Sequence, residues 1–428
     1  MTKRLRAAAV LALLWAAPSR AAEVVIGVDA GRSAGKAVGL ALACAPEDAA
    51  RREDADLARQ VRDVLRADLL FSRYFDVNDQ APPADLSADA AAEDWRRRGA
   101  VFLLSVKASP LEGQAALNVR LVDLGSGGVV LDRHYRQDAR FWRSAVHRVC
   151  DDVVRQVTGR PGIAQSLLAF VGDATGSKEV YVADYDGQNA RRVTADASID
   201  LLPRWRPDRK AIAYTSYKDG NPDLYLLDLQ AGKSRVLSGR QGLNLAGGFS
   251  PDGRKLAATL SREKSPNIYV LSLEDGSAQR VTEHFGADSS PTFSPDGENI
   301  AFVSDRSGNP QVHVLELATG RARRLTHLNW CDAPAWSPAG DWIAFSGRAN
   351  VRDAMDIFLA DITGGRVVQL THGEGSNEDP AWSPDGRFLA FVSTRGGRRR
   401  LFVMDADGSA PHPVADHGGN VYTPAWSQ

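Results

Sequence analysis

The side chains that most often carry catalysis occur in this chain without the spacing that catalysis requires. The eight histidines are scattered, and His313 occupies the aromatic position of a strand-like run, which favours a core role. Residues 31–37 are similar to a phosphate-binding loop but lack one spacer residue and the Ser or Thr that would hold Mg²⁺. Two Asp-x-Asp-Gly stretches, at 184–187 and 405–408, lack the full calcium loop ending in Glu, so we expect turns there. The sequence predicts no catalytic residue, no cofactor and no metal site, and we expect the protein not to be an enzyme.

A different set of residues has the composition of a protein-binding surface. Six short segments each precede a Pro-x-Trp or similar element, at 199–202, 243–246, 288–290, 331–333, 377–379 and 421–423. They mix apolar side chains with carboxylates, namely Leu201, Leu243, Leu245, Tyr422, Asp200, Asp288, Asp332, Glu378 and Asp379. An apolar centre with a polar rim is the usual anatomy of a protein interface. The composition indicates partner recognition, although plain solvated loops would look the same.

A repeat with a period close to 44 residues positions these segments. One marker, Pro-x-Trp/Phe followed by Ser-Pro-Asp-Gly, recurs at separations of 44, 44, 43, 46 and 44, centred on Trp205, Phe249, Phe293, Trp336, Trp382 and Trp426. A second marker, an apolar run with a central aromatic, keeps the same period. Each unit contains several short β-branched runs between turn residues, which predicts the four strands of a propeller blade. The 264 residues from 165 to 428 accommodate six units and predict a six-bladed β-propeller.

The two ends of the repeat region predict how the ring closes. Residues 168–171 match the second strand of later units, but no Pro-x-Trp element precedes them. The missing element lies at the end of the sequence, at 423–427. We expect this last strand to pair beside 168–172 and remove the open sheet edge. In the Ser-Pro-Asp-Gly turns, Arg209 replaces one Gly and Ala339 replaces one Asp, so Arg209 should adopt left-handed backbone.

The residues before the repeats predict a small α/β domain with a mixed sheet. Strand-like runs occur at 23–28, 101–106, 114–122 and 129–135. Helical periodicity occurs at 54–74, 89–98 and 141–157, with Ser87 as the N-cap of the second helix. The expected division is a signal peptide at 1–21, an N-terminal α/β domain at 22–158, a linker at 159–164 and the propeller at 165–428.

The first residues have the pattern of a secretory signal peptide. Lys3, Arg4 and Arg6 precede an apolar run, and Ser19 and Ala21 suit the positions before a cleavage site. We therefore expect export, with cleavage after Ala21 or Ala22. Export permits disulfides, and Cys44 could pair with Cys150, but the sequence leaves this open because it cannot show the distance between them.

The composition excludes several classes of protein. The chain has 52 Lys+Arg against 53 Asp+Glu, so it lacks the basic excess of a nucleic-acid-binding protein. A hydrophobic fraction of 43% is too high for intrinsic disorder. Because the last strand extends to Gln428, we expect no appended hydrolase domain. The expectation is a monomeric multi-domain protein with no nucleic-acid partner.

Several segments resemble the TolB family, the periplasmic propeller proteins of the Tol-Pal system of Gram-negative bacteria. Besides the Ser-Pro-Asp-Gly repeats, the resemblance is carried by residues 65–75 (LRADLLFSRYF), 95–100 (WRRRGA), 147–159 (HRVCDDVVRQVTG) and 23–31 (EVVIGVDAG). It covers essentially the whole chain after the signal peptide. The resemblance implies a periplasmic protein-binding scaffold that supports outer-membrane integrity and invagination at cell division, and that meets membranes only through its partners.

The resemblance also implies two partners and the residues that bind them. The C-terminal domain of TolA would bind the mature N-terminus, at Glu23, Val24, Val25, Ile26, Gly27, Val28 and Asp29. The Pal lipoprotein would bind the propeller mouth, at Leu201, Leu243, Ala246, Ser289, Ser290, Asp332, Asp379 and Tyr422. Outer-membrane proteins are a further candidate.

An alternative remains open. The chain could be an exported propeller hydrolase, or a protein that binds a small ligand or peptide in the central channel. Paired carboxylates or a metal at the mouth would favour that alternative.

Overall fold

The computed structural model describes residues 37–80, 87–262, 265–414 and 416–428 of the chain. The predicted signal peptide, the predicted strand at 23–28 and most of the phosphate-loop-like segment lie outside the described residues. So do the residues expected to bind TolA, which are Glu23, Val24, Val25, Ile26, Gly27, Val28 and Asp29.

The N-terminal part is a mixed five-stranded sheet packed against helices, as predicted. Its strands β1–β5 are Val38–Pro46, Phe75–Asn78, Phe102–Leu111, Gln114–Asp123 and Val129–Asp138. The sheet order is β2-β1-β3-β4-β5, in which β1 is parallel to both neighbours and β3, β4 and β5 are antiparallel. The helices α1–α3 are Arg52–Phe71, Ala88–Arg97 and Trp142–Thr158, and a short 3-10 helix spans Ala139–Phe141.

The three helices form where the sequence periodicity predicted them. Val61, Leu65 and Leu69 of α1 are buried at four-residue spacing, on one face of the helix. The Ser87 hydroxyl accepts the N–H of Ala90 and caps α2, as predicted. In the described part of the chain, no helix combines the length and the apolar character needed to cross a membrane.

The sequence analysis missed β1 and β2. Strand β1 lies in the middle of the sheet, with Leu40 and Leu42 in the main core and Ala41 packed against Trp95 of α2 on the other face. A strand that is covered on both faces reads as a continuous apolar run rather than an alternation. Cys44, at the end of this strand, is a free thiol, and so are Cys150 and Cys331, so the pairing that the sequence left open does not form.

The remaining strands form six four-stranded blades, which confirms the propeller predicted from the repeat. Blade 1 contains β6–β8 (Leu167–Gly172, Glu179–Asp184, Arg191–Arg192) and the last strand, β29 (Val421–Trp426). Blade 2 contains β9–β12 (Asp200–Trp205, Ala211–Ser216, Asp223–Asp228, Lys233–Ser238), and blade 3 contains β13–β16 (Asn244–Phe249, Lys255–Leu260, Asn267–Ser272, Ala278–Arg280). Blade 4 contains β17–β20 (Asp288–Phe293, Asn299–Ser304, Gln311–Glu316, Arg321–Arg324). Blade 5 contains β21–β24 (Trp330–Trp336, Trp342–Arg348, Asp356–Asp361, Val367–Gln369), and blade 6 contains β25–β28 (Asn377–Trp382, Phe388–Ser393, Arg400–Asp405, His412–Pro413).

Packing between blades explains the repeated aromatic residues. Trp205 donates its indole N–H to the carbonyl of Ala425 in the neighbouring blade, and Trp382 donates to Ala335 in the same way. His313 is buried in blade 4, as its strand position predicted. The interpretation of these positions as packing positions is confirmed.

The turns follow the predicted chemistry. Gly297 has a φ of 75° in the Ser-Pro-Asp-Gly turn of blade 4, and Arg209 takes the same left-handed conformation, with a φ of 59°. Where Ala339 replaces the Asp, the Ser337 hydroxyl instead donates to Asp341 at 2.8 Å. Both Asp-x-Asp-Gly stretches, at 184–187 and 405–408, are turns as expected, closed by backbone hydrogen bonds.

The ring closes through its first and last strands, as predicted. Strand β29 is antiparallel to β6, with Trp426 opposite Leu168. The N–H of Leu167 donates to the Ser427 hydroxyl at 2.9 Å, and the indole of Trp426 donates to the Ser166 hydroxyl at 2.8 Å. The last strand is therefore the innermost strand of blade 1.

Deleting residues 422–428 should lower the unfolding free energy of the propeller by at least ~4 kcal/mol, because it removes a buried Trp and exposes an unpaired sheet edge. Differential scanning calorimetry of the full chain and the deletion would measure this. As a control, Ser427→Ala removes only one hydroxyl and should cost about 1 kcal/mol. A deletion with the melting temperature of the full chain would contradict closure by this strand.

Candidate protein-binding mouth and domain interface

The innermost strand of every blade runs from one face of the propeller to the other. These strands, β9, β13, β17, β21, β25 and β29, each follow a connection from the previous blade, and the first five lead into Ser-Pro-Asp-Gly-type turns. Because the repeat gives all six the same direction, the connections lie on one face and the turns lie on the opposite face. We call the face with the connections the mouth and the other the turn face.

The innermost strands surround a cavity of about 360 Å³. Of the residues predicted to bind Pal, Ser290 and Asp379 line this cavity, together with Thr423 and Arg204. The other predicted residues are not part of the cavity wall. The repeated Pro and Trp or Phe residues continue the wall towards the turn face, so the cavity follows the axis of the ring.

A strained backbone conformation recurs in the innermost strands, at the cavity wall in four blades and beside it in blade 2. Positive φ angles between 43° and 58° occur at Leu202, Ser290, Ala333, Asp379 and Thr423, each of which directly precedes a proline. The pairing of the innermost strand is interrupted at the same place in each of these blades. Left-handed backbone costs roughly 1–2 kcal/mol for a residue other than glycine. Strain of this kind is concentrated at functional sites, which makes the wall a candidate site.

Asp379 brings a carboxylate into the cavity. Its Oδ2 accepts the N–H of Thr423 at 3.3 Å. Burial is the main cause that raises the pKa of Asp379 to about 6, and the charges of Asp332 and Glu378 add to it, while Arg204 acts in the opposite direction. The negative charge inside the cavity therefore increases as the pH rises through 6.

Asp332 places a second carboxylate on the exposed rim of the mouth. It accepts a hydrogen bond from the Ser290 hydroxyl at 3.3 Å and so links blade 5 to blade 4. Its partner Ser290 lines the cavity, whereas Ser289 is half-buried beside it. The structure thus brings Ser290, Asp332 and Asp379 together, as the sequence analysis expected of a single mouth.

Tyr422 lies in a separate polar cluster between blades 1 and 6. Its hydroxyl donates to Asp173 at 3.0 Å, and its ring lies 4.2 Å from the Lys178 ammonium and 5.3 Å from the Arg399 guanidinium. Arg399 also donates to Glu378 at 2.9 Å. The Tyr422 side chain is therefore held in place by both blades.

The predicted apolar residues of the mouth differ in their exposure. Leu201 and Leu243 are half-buried and remain available for contact. Ala246 is 3% exposed and belongs to the core between blades 2 and 3. Its position is therefore suited to shaping the mouth and not to presenting a side chain.

Sequence reasoning missed two exposed aromatic residues on the mouth. Phe285 is 87% exposed in the connection before β17, and Trp330, the first residue of β21, is 39% exposed. The predicted mouth segments comprise only the few residues directly before each Pro-x-Trp element, and Phe285 and Trp330 both precede those segments. An aromatic residue within a polar connection between blades is the sequence feature that could have identified them.

The N-terminal domain packs on the turn face, across the junction of blades 1 and 6. The ring of Phe71, at the end of α1, lies 4.7 Å from Phe388 and 4.8 Å from Tyr185. Arg387 donates to the carbonyl of Ser72 at 2.6 Å. These contacts continue the core of the domain into the two blades that close the ring.

A buried charged cluster lies within this interface. His147 Nδ1 is 2.7 Å from Asp68 Oδ2, and His147 Nε2 is 3.5 Å from Asp184 Oδ2. Tyr185 donates its hydroxyl to Asp68 at 2.7 Å, and Arg143 pairs with Asp184 at 3.4 Å. Burial alone would lower the pKa of His147, but its interactions with the carboxylates of Asp184 and Asp68 outweigh burial and raise that pKa to about 9. The protonated imidazole joins α1 and α3 to blade 1.

Comparison with known protein families matches both parts of the chain. Residues 154–428 match the family model described as the TolB beta propeller domain, and residues 33–130 match the TolB amino-terminal domain. The chain is 35% identical over 168 residues to the Tol-Pal system protein TolB of Desulfosudis oleivorans and 36% identical over 173 residues to that of Geobacter sulfurreducens. These alignments cover 38% and 39% of this chain, and they span only 38% and 40% of those relatives' own length.

A solved structure is similar over most of the chain. The crystal structure of TolB from Acinetobacter baumannii superposes with a TM-score of 0.77 at 27% sequence identity. The superposition covers 92% of this chain and 97% of that one. The similarity therefore includes both the N-terminal domain and the propeller.

The charged cluster predicts a pH dependence of stability. Because folding raises the His147 pKa, its stabilising contribution should be complete below pH ~6.5 and should decline as the pH rises through 9. His147→Gln should lower the unfolding free energy at pH ~6.5 by roughly 1–3 kcal/mol, and the difference from wild type should shrink by pH ~10. Thermal unfolding of both proteins across this range would measure it, and a difference that does not change with pH would contradict the assignment.

Proposed function

The chain belongs to the TolB family, and on that premise we propose that it is a periplasmic, non-catalytic protein-binding scaffold of the Tol-Pal cell-envelope system. Such a scaffold would hold Pal at the mouth and TolA at the mature N-terminus, and would support outer-membrane integrity and invagination at cell division. One observation carries the proposal: the acidic mouth and the docked N-terminal domain lie on opposite faces of one closed ring. Two surfaces that do not overlap can hold two partners at once.

The composition of the mouth supports docking of a folded partner such as Pal. Phe285 and Trp330 are exposed aromatic residues, the type that most often anchors an interface. The carboxylates of Asp332 and Asp379 give the centre a negative potential, which favours a partner with a basic surface. We propose that Pal contacts this mouth through the residues predicted from the sequence, with Phe285 and Trp330 added and with the buried Ala246 only shaping the surface.

The described chain supports a TolA site close to the domain interface. The first strand, β1, begins at Val38, whose N–H donates to the carbonyl of Tyr74 at 2.9 Å. The ring of Tyr74 lies 4.1 Å from the Arg387 guanidinium of blade 6. The chain that precedes β1 therefore joins the described structure beside a contact with the propeller. A short apolar segment near a chain end suits addition as an extra strand to a partner's sheet.

Blade 6 offers a continuous connection between the two sites. Strand β25 carries Asp379 on the cavity wall, and the turn that follows it leads directly to Arg387 on the turn face. Arg387 in turn holds Ser72 and Tyr74 of the N-terminal domain. A partner that displaces β25 at the mouth would act on the turn that holds this domain. Such coupling is allosteric if each partner changes the affinity for the other.

One observation favours the alternative function in the channel. Asp379 has a raised pKa inside a cavity, which is a common property of ligand-binding and catalytic carboxylates. Among the described residues, however, neither Asp379 nor Asp332 belongs to a group of three carboxylates close enough together to hold a metal ion. A small ligand or peptide that needs Asp379 but not Asp332 would identify this alternative.

Charge reversal at the mouth should weaken Pal binding. The double variant Asp332→Lys, Asp379→Lys replaces two carboxylates with ammonium groups, and we expect the Kd for purified Pal to rise at least ~30-fold. The matched control is Glu274→Lys, Glu298→Lys, which makes the same change in net charge at exposed positions of the turn face. Calorimetric titration of both variants would measure this. Equal affinities for the mouth variant and wild type would place the site elsewhere.

Pal and the TolA domain should alter each other's affinity. We expect the Kd of the TolA C-terminal domain to change about 5-fold or more when Pal is saturating, and the reverse titration should show the same factor. Arg387→Ala should reduce this factor because it removes the contact with Ser72 and Tyr74. Arg254→Ala, an exposed arginine of the equivalent turn in blade 3, is the control and should leave the factor unchanged. Equal constants with and without Pal would rule out coupling.

A further inference from the structure

Three carboxylates meet at the junction of blades 1 and 2, outside the central cavity. Glu179 is the first residue of β7, Asp200 is the first residue of β9, and Asp196 lies in the connection between β8 and β9. One carboxylate oxygen of each lies within 4.8 Å of the others. Glu179 is 1% exposed and Asp200 is 0% exposed, whereas Asp196 faces solvent. The cluster is thus a buried pair of acids with one acid at its opening.

The two buried carboxylates differ in their hydrogen-bond partners. Glu179 accepts hydrogen bonds from the Thr194 hydroxyl at 2.9 Å and from the N–H of Ala197 at 3.2 Å. Among the described residues, no donor has hydrogen-bonding geometry to either carboxylate oxygen of Asp200, although the hydroxyls of Ser216 and Thr194 lie near enough to lower its pKa. A buried carboxylate without donors is costly, because nothing replaces the water it has lost. A cation or a proton bound at Asp200 would remove this cost.

Two other blades show how the repeat can supply a partner at this position. In blade 4, Asp288 is equivalent to Asp200 and accepts two hydrogen bonds from Arg306, at 2.9 and 2.8 Å. In blade 6 the equivalent residue is Asn377, an uncharged amide, and Arg395 donates to it at 3.3 Å. Both positions are thus matched by an arginine two residues after the second strand of the blade.

Blade 2 has Lys218 in place of that arginine, and Lys218 contacts Tyr225 and Asp196 instead of Asp200. Its ammonium lies 3.8 Å from the Tyr225 ring and 3.8 Å from Asp196. Lys218 is therefore directed to the outermost acid of the cluster, and no cationic side chain among the described residues pairs with Glu179 or Asp200. The cluster carries three acids against one lysine.

We propose that Glu179, Asp196 and Asp200 bind a hard divalent cation of the calcium type, which links blade 1 to blade 2. A ligand set made only of carboxylate oxygens suits such cations, whereas Zn²⁺ prefers nitrogen and sulfur. Ca²⁺ tolerates irregular geometry and several carboxylates, while Mg²⁺ demands a near-ideal octahedron. The three ligands come from separate segments of the chain, which is why the sequence by itself led us to expect no metal site.

A proton is the competing occupant. Burial is the main cause that raises the pKa of Asp200 to about 6; the nearby hydroxyls of Ser216 and Thr194 lower it, and the charges of Asp196 and Glu179 raise it further. A cation and a proton would therefore compete for the oxygens of Asp200.

The test uses the mature protein after treatment with a chelator, at a pH well above the pKa of Asp200. Calorimetric titration with Ca²⁺ should show one site with a Kd of about 10⁻⁴–10⁻³ M, the range of extracellular calcium modules. Saturating Ca²⁺ should raise the melting temperature by roughly 2–4 °C. Parallel titrations with Mg²⁺ and Zn²⁺ should show weaker binding.

The variant Asp200→Asn should remain folded, and it distinguishes a bound cation from a bound proton at this position. It removes the uncompensated charge, so without metal it should melt at or above the wild-type temperature, and it should lose at least ~10-fold in Ca²⁺ affinity. Glu274→Gln, an exposed acid of blade 3, is the control and should bind Ca²⁺ as wild type does. Wild-type protein that binds no Ca²⁺, an Asp200→Asn variant that binds it unchanged, or a preference for Zn²⁺ would overturn the proposal. Loss of Ca²⁺ binding in this variant alone would support it.

Discussion

The pairing of the last strand with the first strand of the propeller is the constraint on which the rest of the structure depends. A propeller of six sheets has no independent core for each blade, because the aromatic residues of each innermost strand pack on the next blade. Until β29 joins β6, blade 1 has no innermost strand and the ring has two free edges. The N-terminal domain docks on blades 1 and 6, the pair that this closure brings together. Ring closure therefore also creates the surface on which that domain packs.

The same geometry separates the two faces of the molecule. Antiparallel blades with innermost strands in one direction place all connections between blades on the mouth and all Ser-Pro-Asp-Gly-type turns on the opposite face. The N-terminal domain occupies part of the turn face through Phe71 and the buried pair of Asp68 and His147. The mouth remains open, with Asp379 in its cavity and Asp332, Phe285 and Trp330 on its rim. A scaffold that holds two partners needs this kind of separation.

Departures from the repeat mark the positions where this chain differs from a plain structural ring. Equivalent positions carry Asp288 with its arginine in blade 4 but Asp200 without one in blade 2. The residue before the repeated proline is Ser290 in one blade and Asp379 in another, and both have the same left-handed backbone. The repeat thus fixes the backbone, and the individual side chains give each blade its own chemistry.

The sequence by itself determined the fold, because periodic aromatic and turn residues act locally and repeat six times. It gave the blade number, the closing strand, the helices and the left-handed Arg209, and it indicated the mouth segments. It missed β1, whose burial on both faces removes the alternation that reveals a strand. Only the tertiary structure decided which side chains meet: His147 with Asp184, Arg387 with Ser72, and Asp200 with Glu179. These contacts join residues from distant segments, and their burial and charge depend on the packing of whole blades, which no local pattern encodes.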